Sequence, residues 1–219
     1  MAFSDELLEE GTDIWNAQFE HPFVTELATG ELDPEAFRHW VEQDYRYLLD
    51  YARVFALGAT KARDEATMTH MMDVAHTILD FEMDLHREFA VDYGISVDDL
   101  ESVEKAPTCV AYTNFLVRTA HEGSIAEIAA AIYPCGQGYL DVAEHMAELA
   151  EGEHRYTPFI EKYTSEKFEE AVAWMTELVD RCGEQFPGES EAMREAFRSS
   201  ARLEHAFWEM CYTHEEWEV

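Results

Sequence analysis

Positive charge is scarce in this sequence. Only 15 lysines and arginines stand against 47 aspartates and glutamates in 219 residues, a formal net charge of -32, and the acids are spread along the whole chain instead of forming one block. A field of that sign repels phosphate backbones and anionic membrane surfaces, which need a basic patch, so neither nucleic acid nor membrane is expected as a partner. An acidic surface this uniform fits a salt-rich cytoplasm, where the screening length falls to about 3 Å at 1 M and self-repulsion becomes tolerable. Cysteines are few as well: Cys109, Cys135, Cys182 and Cys211 include no CxxC pair, so neither a zinc ribbon nor a disulfide scaffold is expected. The chain lacks an apolar run long enough to span a bilayer, and its first residues go straight into acids without an apolar leader, which places the protein in a reduced cytoplasm. Period-two alternation and Asn-Gly or Asp-Gly hairpin turns are missing, as are the GxxxxGK[ST] phosphate loop and the GxSxG elbow of serine hydrolases.

What is present is apolar material at helical spacing: 47% of the residues are hydrophobic and 13% aromatic, enough for a substantial core. A first helix is expected from about Ser4 to Phe19, ending near His21-Pro22. Asp33 as N-cap and Pro34 at the first helical position open a long central helix to about Ala62, with Phe37, Trp40, Val41, Tyr47, Leu48, Tyr51, Val54 and Phe55 recurring at three- and four-residue steps. A third helix, roughly Glu65 to Tyr93, carries Met68, Met71, Met72, Ala75, Ile78, Leu79, Met83, Leu85 and Phe89 and stops before Gly94; Val97 to Pro107 reads as a loop. Ser124-Ile-Ala-Glu127 is a capping box for a helix to about Gly152, a short amphipathic segment covers His154 to Tyr163, and further helices are expected over Ser165 to Cys182 and Glu189 to His214. The class is all-α, a bundle of about seven to nine helices in a single domain over residues 1–219.

The stretch Ala129-Ala-Ala-Ile-Tyr-Pro-Cys-Gly-Gln-Gly-Tyr139 breaks the rules of its own helix, because Pro134 removes a backbone donor and Gly136 and Gly138 each cost about 1 kcal/mol relative to alanine. Cys135 and Tyr139, four apart, share one face there. One reading is a structural buried cysteine beside a kink; the other is a reactive thiol. Asp44 and Tyr47 share the apolar face of the central helix, with Tyr51 a turn further on, and a carboxylate in that position needs a buried partner or a ligand. Glu204 stands beside Leu203, Phe207 and Trp208 in the last helix. Together these residues suggest a polar, aromatic-walled cavity. A di-iron site is poorly supported: Glu151-Gly-Glu-His154 matches ExxH at a helix end, but no second ExxH lies on a long helix, and His21 alone is a weak haem-ligand signal. The pairs His76/Asp80, Glu82/His86 and Asp141/His145 read as surface pairings.

Gln43-Asp-Tyr-Arg-Tyr47, Tyr112, Pro134-Cys-Gly-Gln-Gly-Tyr139, Tyr163 and Leu203-Glu-His-Ala-Phe-Trp208, in that order across nearly the whole chain, resemble the TenA (thiaminase II) family. The resemblance implies a haem-oxygenase-like helical fold without haem, metal or other cofactor, a homotetramer, and a small-molecule pyrimidine substrate. It further implies hydrolysis of the bond between the methylene of an aminomethyl pyrimidine, or of thiamin, and its leaving nitrogen, giving the hydroxymethyl pyrimidine of thiamin salvage. By the same resemblance Cys135 is the nucleophile and Glu204 the acid and base. Asp44 holds the ring's amidine-like edge, Tyr47, Tyr112, Tyr139 and Tyr163 stack on or orient the ring, and Phe207 is a wall. Relatives often carry an aromatic where this chain has Gly136-Gln-Gly138, and a tryptophan where it has Pro158-Phe159. The alternatives are a metal-dependent oxygenase on the same scaffold and a non-catalytic pyrimidine-binding or regulatory protein.

Overall fold

All regular structure among the described residues is helical. The computed structural model describes residues 1–218 and their side chains except those of residues 81, 82, 85 and 92; the expected core position Leu85 and the Glu82/His86 pairing therefore involve side chains outside the described residues. In chain order the α-helices are α1 (Phe3–Glu10), α2 (Thr12–Phe19), α3 (Pro22–Thr29), α4 (Pro34–Lys61), α5 (Glu65–Thr77), α6 (Met83–Asp92), α7 (Val97–Ser102), α8 (Pro107–Glu122), α9 (Ile125–Leu149), α10 (Thr157–Tyr163), α11 (Glu166–Gln185) and α12 (Ser190–Thr213). They gather into two compact units, Met1–Leu32 with Ala126–Glu209, and Asp33–Ile125 with Met210–Val219.

In the first unit the expected opening helix is divided at Gly11, where an added Cβ would lie 3.0 Å from a ring carbon of Phe197. Close approach of that ring, not solvent, selects the glycine. α2 ends at Phe19 as expected, and Pro22 then starts a further helix: it occupies the first turn of α3, and His21 caps it, its Nδ1 accepting the Phe23 amide at 3.1 Å. Gly30 closes α3 with φ 79, a left-handed conformation that suits glycine. The helix begun beside Ser124 continues through Pro134 to Leu149. Residues 128–133 of α9 are at most 1% exposed, so its alanines serve close packing on every side. Ser165 caps α11, its Oγ accepting the Phe168 amide at 3.3 Å, and α1 docks on α11 where Asp180 accepts the Ser4 amide at 2.8 Å. Arg194 of α12 pairs with Glu6 and Glu10 of α1.

In the second unit Asp33 caps α4 as the sequence predicts, its Oδ1 accepting the Glu35 amide at 3.0 Å with Pro34 next. The expected third helix is interrupted by a π-helical turn, Ile78–Glu82, a distortion often found beside functional side chains. The expected loop contains α7, capped by Ser96, whose Oγ accepts the Asp99 amide at 3.1 Å. Gln43 of α4 ties this region down: its amide donates to the Glu104 carbonyl (3.1 Å), its oxygen accepts the Ala106 amide (2.8 Å), and its backbone carbonyl accepts the Cys109 thiol (3.6 Å). The C-terminal segment fastens the same stretch, since Glu215 accepts the Thr108 amide and the Trp217 indole donates to the Lys105 carbonyl, both at 2.9 Å.

Candidate active site

Cys135 and Glu204 are held at one level by two helices running in the same direction. At the lower end Ser200 of α12 donates to the Ala131 carbonyl of α9 at 2.6 Å, and the Tyr133 and Phe197 rings lie 6.2 Å apart. At the upper end the Tyr139 and Trp208 rings lie 4.9 Å apart. An offset of 69 residues separates Ala131 from Ser200, and the same offset separates Tyr139 from Trp208 and Cys135 from Glu204. Contacts at a fixed offset belong to parallel helices. Four residues of helix rise about 6 Å, so the lower bond and the upper ring pair bracket Cys135 and Glu204 by one turn each. Glu204 is 2% exposed. Cys109, Cys182 and Cys211 are buried; Cys135, half-buried, is the one of the four that a small molecule can reach.

An aromatic cluster builds out from the Tyr139–Trp208 ring pair. Tyr139 meets Tyr163 at 4.8 Å, and Tyr163 meets Phe159 at 4.8 Å and Phe168 at 5.1 Å, while Phe207 is 2% exposed. The Trp208 indole donates to Gln18 Oε1 at 3.1 Å, which leaves the Gln18 Nε2, fully buried, without a partner among the described residues. The opposite face of α9 carries a polar ladder. Gln137 donates to Asp141 Oδ1 (2.7 Å), the Trp15 indole donates to Asp141 Oδ2 (2.7 Å), and the Tyr133 hydroxyl donates to Gln137 Oε1 (3.2 Å). Burial raises the Asp141 pKa against the pull of those two donors. Asp141, expected as a surface partner of His145, is instead half-buried and holds these two donors. The glycines of the motif have separate reasons: a Cβ on Gly136 would lie 2.6 Å from Met175 Sδ of α11, whereas one on Gly138 would meet Gln18 and Trp15 at ordinary distances, 3.8 and 3.9 Å.

The second unit brings Asp44, Tyr47 and Tyr112 together. The Tyr47 ring is 5.0 Å from Tyr112 and 5.3 Å from Tyr51, and Asp44 is 5% exposed. The residue that sequence reasoning missed is His86. Read as a surface partner of Glu82, it is instead fully buried, its Nε2 lies 2.6 Å from Asp44 Oδ2, and its ring lies 5.2 Å from Trp40. The signal was available in its spacing from buried Met83 and Ala90, three and four residues away on one face of α6. Cys109, in the same unit, is chemically quiet, since burial pushes its thiol up to about 12.

The other metal and haem candidates are committed elsewhere. His154 accepts the Tyr156 amide at Nδ1 (3.2 Å) and donates from Nε2 to the Ala28 carbonyl (3.0 Å). His21 uses Nδ1 for the α3 cap and Nε2 for Glu209 (3.0 Å). Among the described residues no three His, Cys, Asp or Glu side chains gather as a metal-ligand group.

Residues 8–214 match the model of the TENA/THI-4/PQQC family. The chain is 36% identical over 220 residues to a protein of Halalkalibacterium halodurans named aminopyrimidine aminohydrolase, an alignment covering 99% of this chain and 98% of that one. Its structure is similar to that of a TenA homologue from P. horikoshii OT3, with a TM-score of 0.91 at 26% identity over 97% of this chain and 99% of the other. A domain of unknown function with a haem-oxygenase-like fold from Shewanella denitrificans superimposes with a TM-score of 0.77 at 12% identity over 96% of this chain and 92% of the other, and bears out the expected fold class.

Proposed function

Because the chain belongs to the TENA/THI-4/PQQC family, we propose that it hydrolyses an aminomethyl pyrimidine to the hydroxymethyl pyrimidine and ammonia, a salvage step for the pyrimidine half of thiamin. Support comes from the relative named aminopyrimidine aminohydrolase, aligned over almost the full length of both chains. The observation that carries the chemistry is the level placement of Cys135 and Glu204 between the Ala131–Ser200 bond and the Tyr139–Trp208 ring pair.

The Cys135 thiol adds across a ring carbon–nitrogen bond, its sulfur to the carbon and its proton to the nitrogen. Electrons of the dearomatised ring then expel the amine, which leaves as ammonia with a proton from Glu204 and exposes an exocyclic methylene. Glu204, now a carboxylate, takes a proton from water as the oxygen bonds to that methylene. The C–S bond breaks as the ring nitrogen gives its proton back to sulfur, the ring regains aromaticity, and the thiol is restored. A thiolate suits both ends of the sequence because it is a strong nucleophile and a good leaving group. Tyr139 and Tyr163 offer faces on which a flat heterocycle stacks. In the second unit, Asp44 with His86 2.6 Å away presents the donor-and-acceptor pattern that an aminopyrimidine edge matches, and the Tyr47 and Tyr112 rings beside it offer further faces for a flat heterocycle. The dense acidic surface reflects adaptation to high salt and is separate from this chemistry.

The test is direct. Incubated with the aminomethyl pyrimidine, the protein should release ammonia with saturable kinetics and form the hydroxymethyl product. Tight calorimetric binding with no ammonia would assign the fold to a binding protein instead.

A further inference from the structure

Ser200 is an unusual residue for the middle of a packed helix: it is fully buried and sends its hydroxyl proton across to another helix, to the Ala131 carbonyl at 2.6 Å. Ala131 is 1% exposed and lies one turn before Cys135 on α9; Ser200 lies one turn before Glu204 on α12. The carbonyl that Ser200 grips is also the acceptor that the i−4 pattern of α9 assigns to the Cys135 amide. A shift of either helix along its axis by a fraction of a turn carries the hydroxyl and the carbonyl out of hydrogen-bonding distance. One hydroxyl therefore fixes the axial register of two side chains that the reading above makes nucleophile and acid. Helix α9 needs such a fastening because Pro134 deprives it of one backbone bond in the turn that precedes Cys135.

We propose that Ser200 is the positioning residue for the Cys135–Glu204 pair, holding the thiol and the carboxyl at their working separation through the Ala131 carbonyl. This rests on the assignment of those two residues as the reacting groups. Reaction geometry is sensitive to displacements of about 1 Å, so loss of the register falls on turnover and much less on substrate binding.

The experiment compares Ser200→Ala with Ile128→Val, a control that trims a fully buried side chain of α9 without touching the bond. Ser200→Thr keeps the hydroxyl and serves as the second variant. For each, kcat and KM for ammonia release are measured together with the pH midpoint for iodoacetamide alkylation of Cys135, mapped by peptide mass. Ser200→Ala should lower kcat by about 10- to 100-fold with KM within about twofold, and should shift the alkylation midpoint, while Ile128→Val and Ser200→Thr keep the wild-type midpoint. The alkylation measurement needs no substrate. An inactive wild type would overturn the hydrolase reading and leave this readout standing. Equal kcat losses in Ser200→Ala and Ile128→Val, with one common alkylation midpoint, would overturn the role of Ser200.

Discussion

The two glycines flanking Gln137 differ in what fills the space of their missing side chains, and that difference gives a quantitative prediction. Replacing a helix-interior glycine with alanine gains up to about 1 kcal/mol from backbone entropy. At Gly138 nothing opposes the gain, since the nearest atoms lie 3.8 and 3.9 Å from the new carbon. Gly138→Ala should therefore stabilise the protein by about 0.5–1 kcal/mol. At Gly136 the new carbon would lie 2.6 Å from Met175 Sδ, with Met175 Cε at 3.5 Å and Val172 Cγ2 at 3.7 Å behind it. Met175 is 7% exposed and has to retreat by about 1 Å into neighbours that are themselves packed, an overpacking cost of about 1–3 kcal/mol. Gly136→Ala should come out roughly 0–2 kcal/mol less stable than the wild type, after the common entropy gain is subtracted. The pair therefore differs by the overpacking cost alone. At this chain length each kcal/mol corresponds to about 2–4 °C, so calorimetric scans of the two variants in one buffer resolve it. A Gly136→Ala protein as stable as Gly138→Ala would refute the assignment of Gly136 to close packing against α11.

Three further outcomes follow from the charges. Trp15→Phe removes one of two donors to the half-buried Asp141 and should cost about 1–3 kcal/mol near neutral pH. Because burial already raises the Asp141 pKa, the folded variant takes up a proton readily as pH falls, so its deficit relative to wild type should shrink on acidification; urea midpoints at two pH values check this. His21 is buried, and desolvation lowers its pKa despite the bond to Glu209, so the unfolded chain binds a proton near 6.5 while the folded one resists it. Stability present above that value should be lost as pH falls below it. His21→Asn, which keeps an N-cap acceptor, should flatten the loss, and an unchanged pH slope would count against the assignment. Raising KCl from dilute buffer to molar concentration should raise the thermal midpoint, because the net charge of -32 repels itself; a falling midpoint would remove the case for salt adaptation.

Local chemistry made much of the fold readable in the sequence. Asp33-Pro34 and Ser165 announce their helices because a side-chain acceptor and a preset φ act within three residues. The same locality is incomplete at Pro22, where the expected stop is followed at once by the start of α3, and at α7, too short for a periodic signal. Around the candidate site, the aromatic and cysteine positions were legible from spacing and resemblance. The reasons behind them were not. The contact of Gly136 with Met175, the Trp15 bond to Asp141 and the Ser200 bond to Ala131 link residues far apart in the chain, and no window on the sequence brings such partners together. His86 was missed for a different reason: polar residues on both sides of it, Asp84 and Arg87, gave it the look of a surface histidine.

Removing the sulfur addresses the proposed mechanism most directly. Ammonia release from the aminomethyl pyrimidine by Cys135→Ala should fall by about a thousandfold or more while the thermal midpoint stays near that of the wild type, since the side chain is half-buried and small. A variant that still turns over within about tenfold of the wild-type rate would contradict nucleophilic attack by Cys135, and with it the roles given to Glu204 and Ser200.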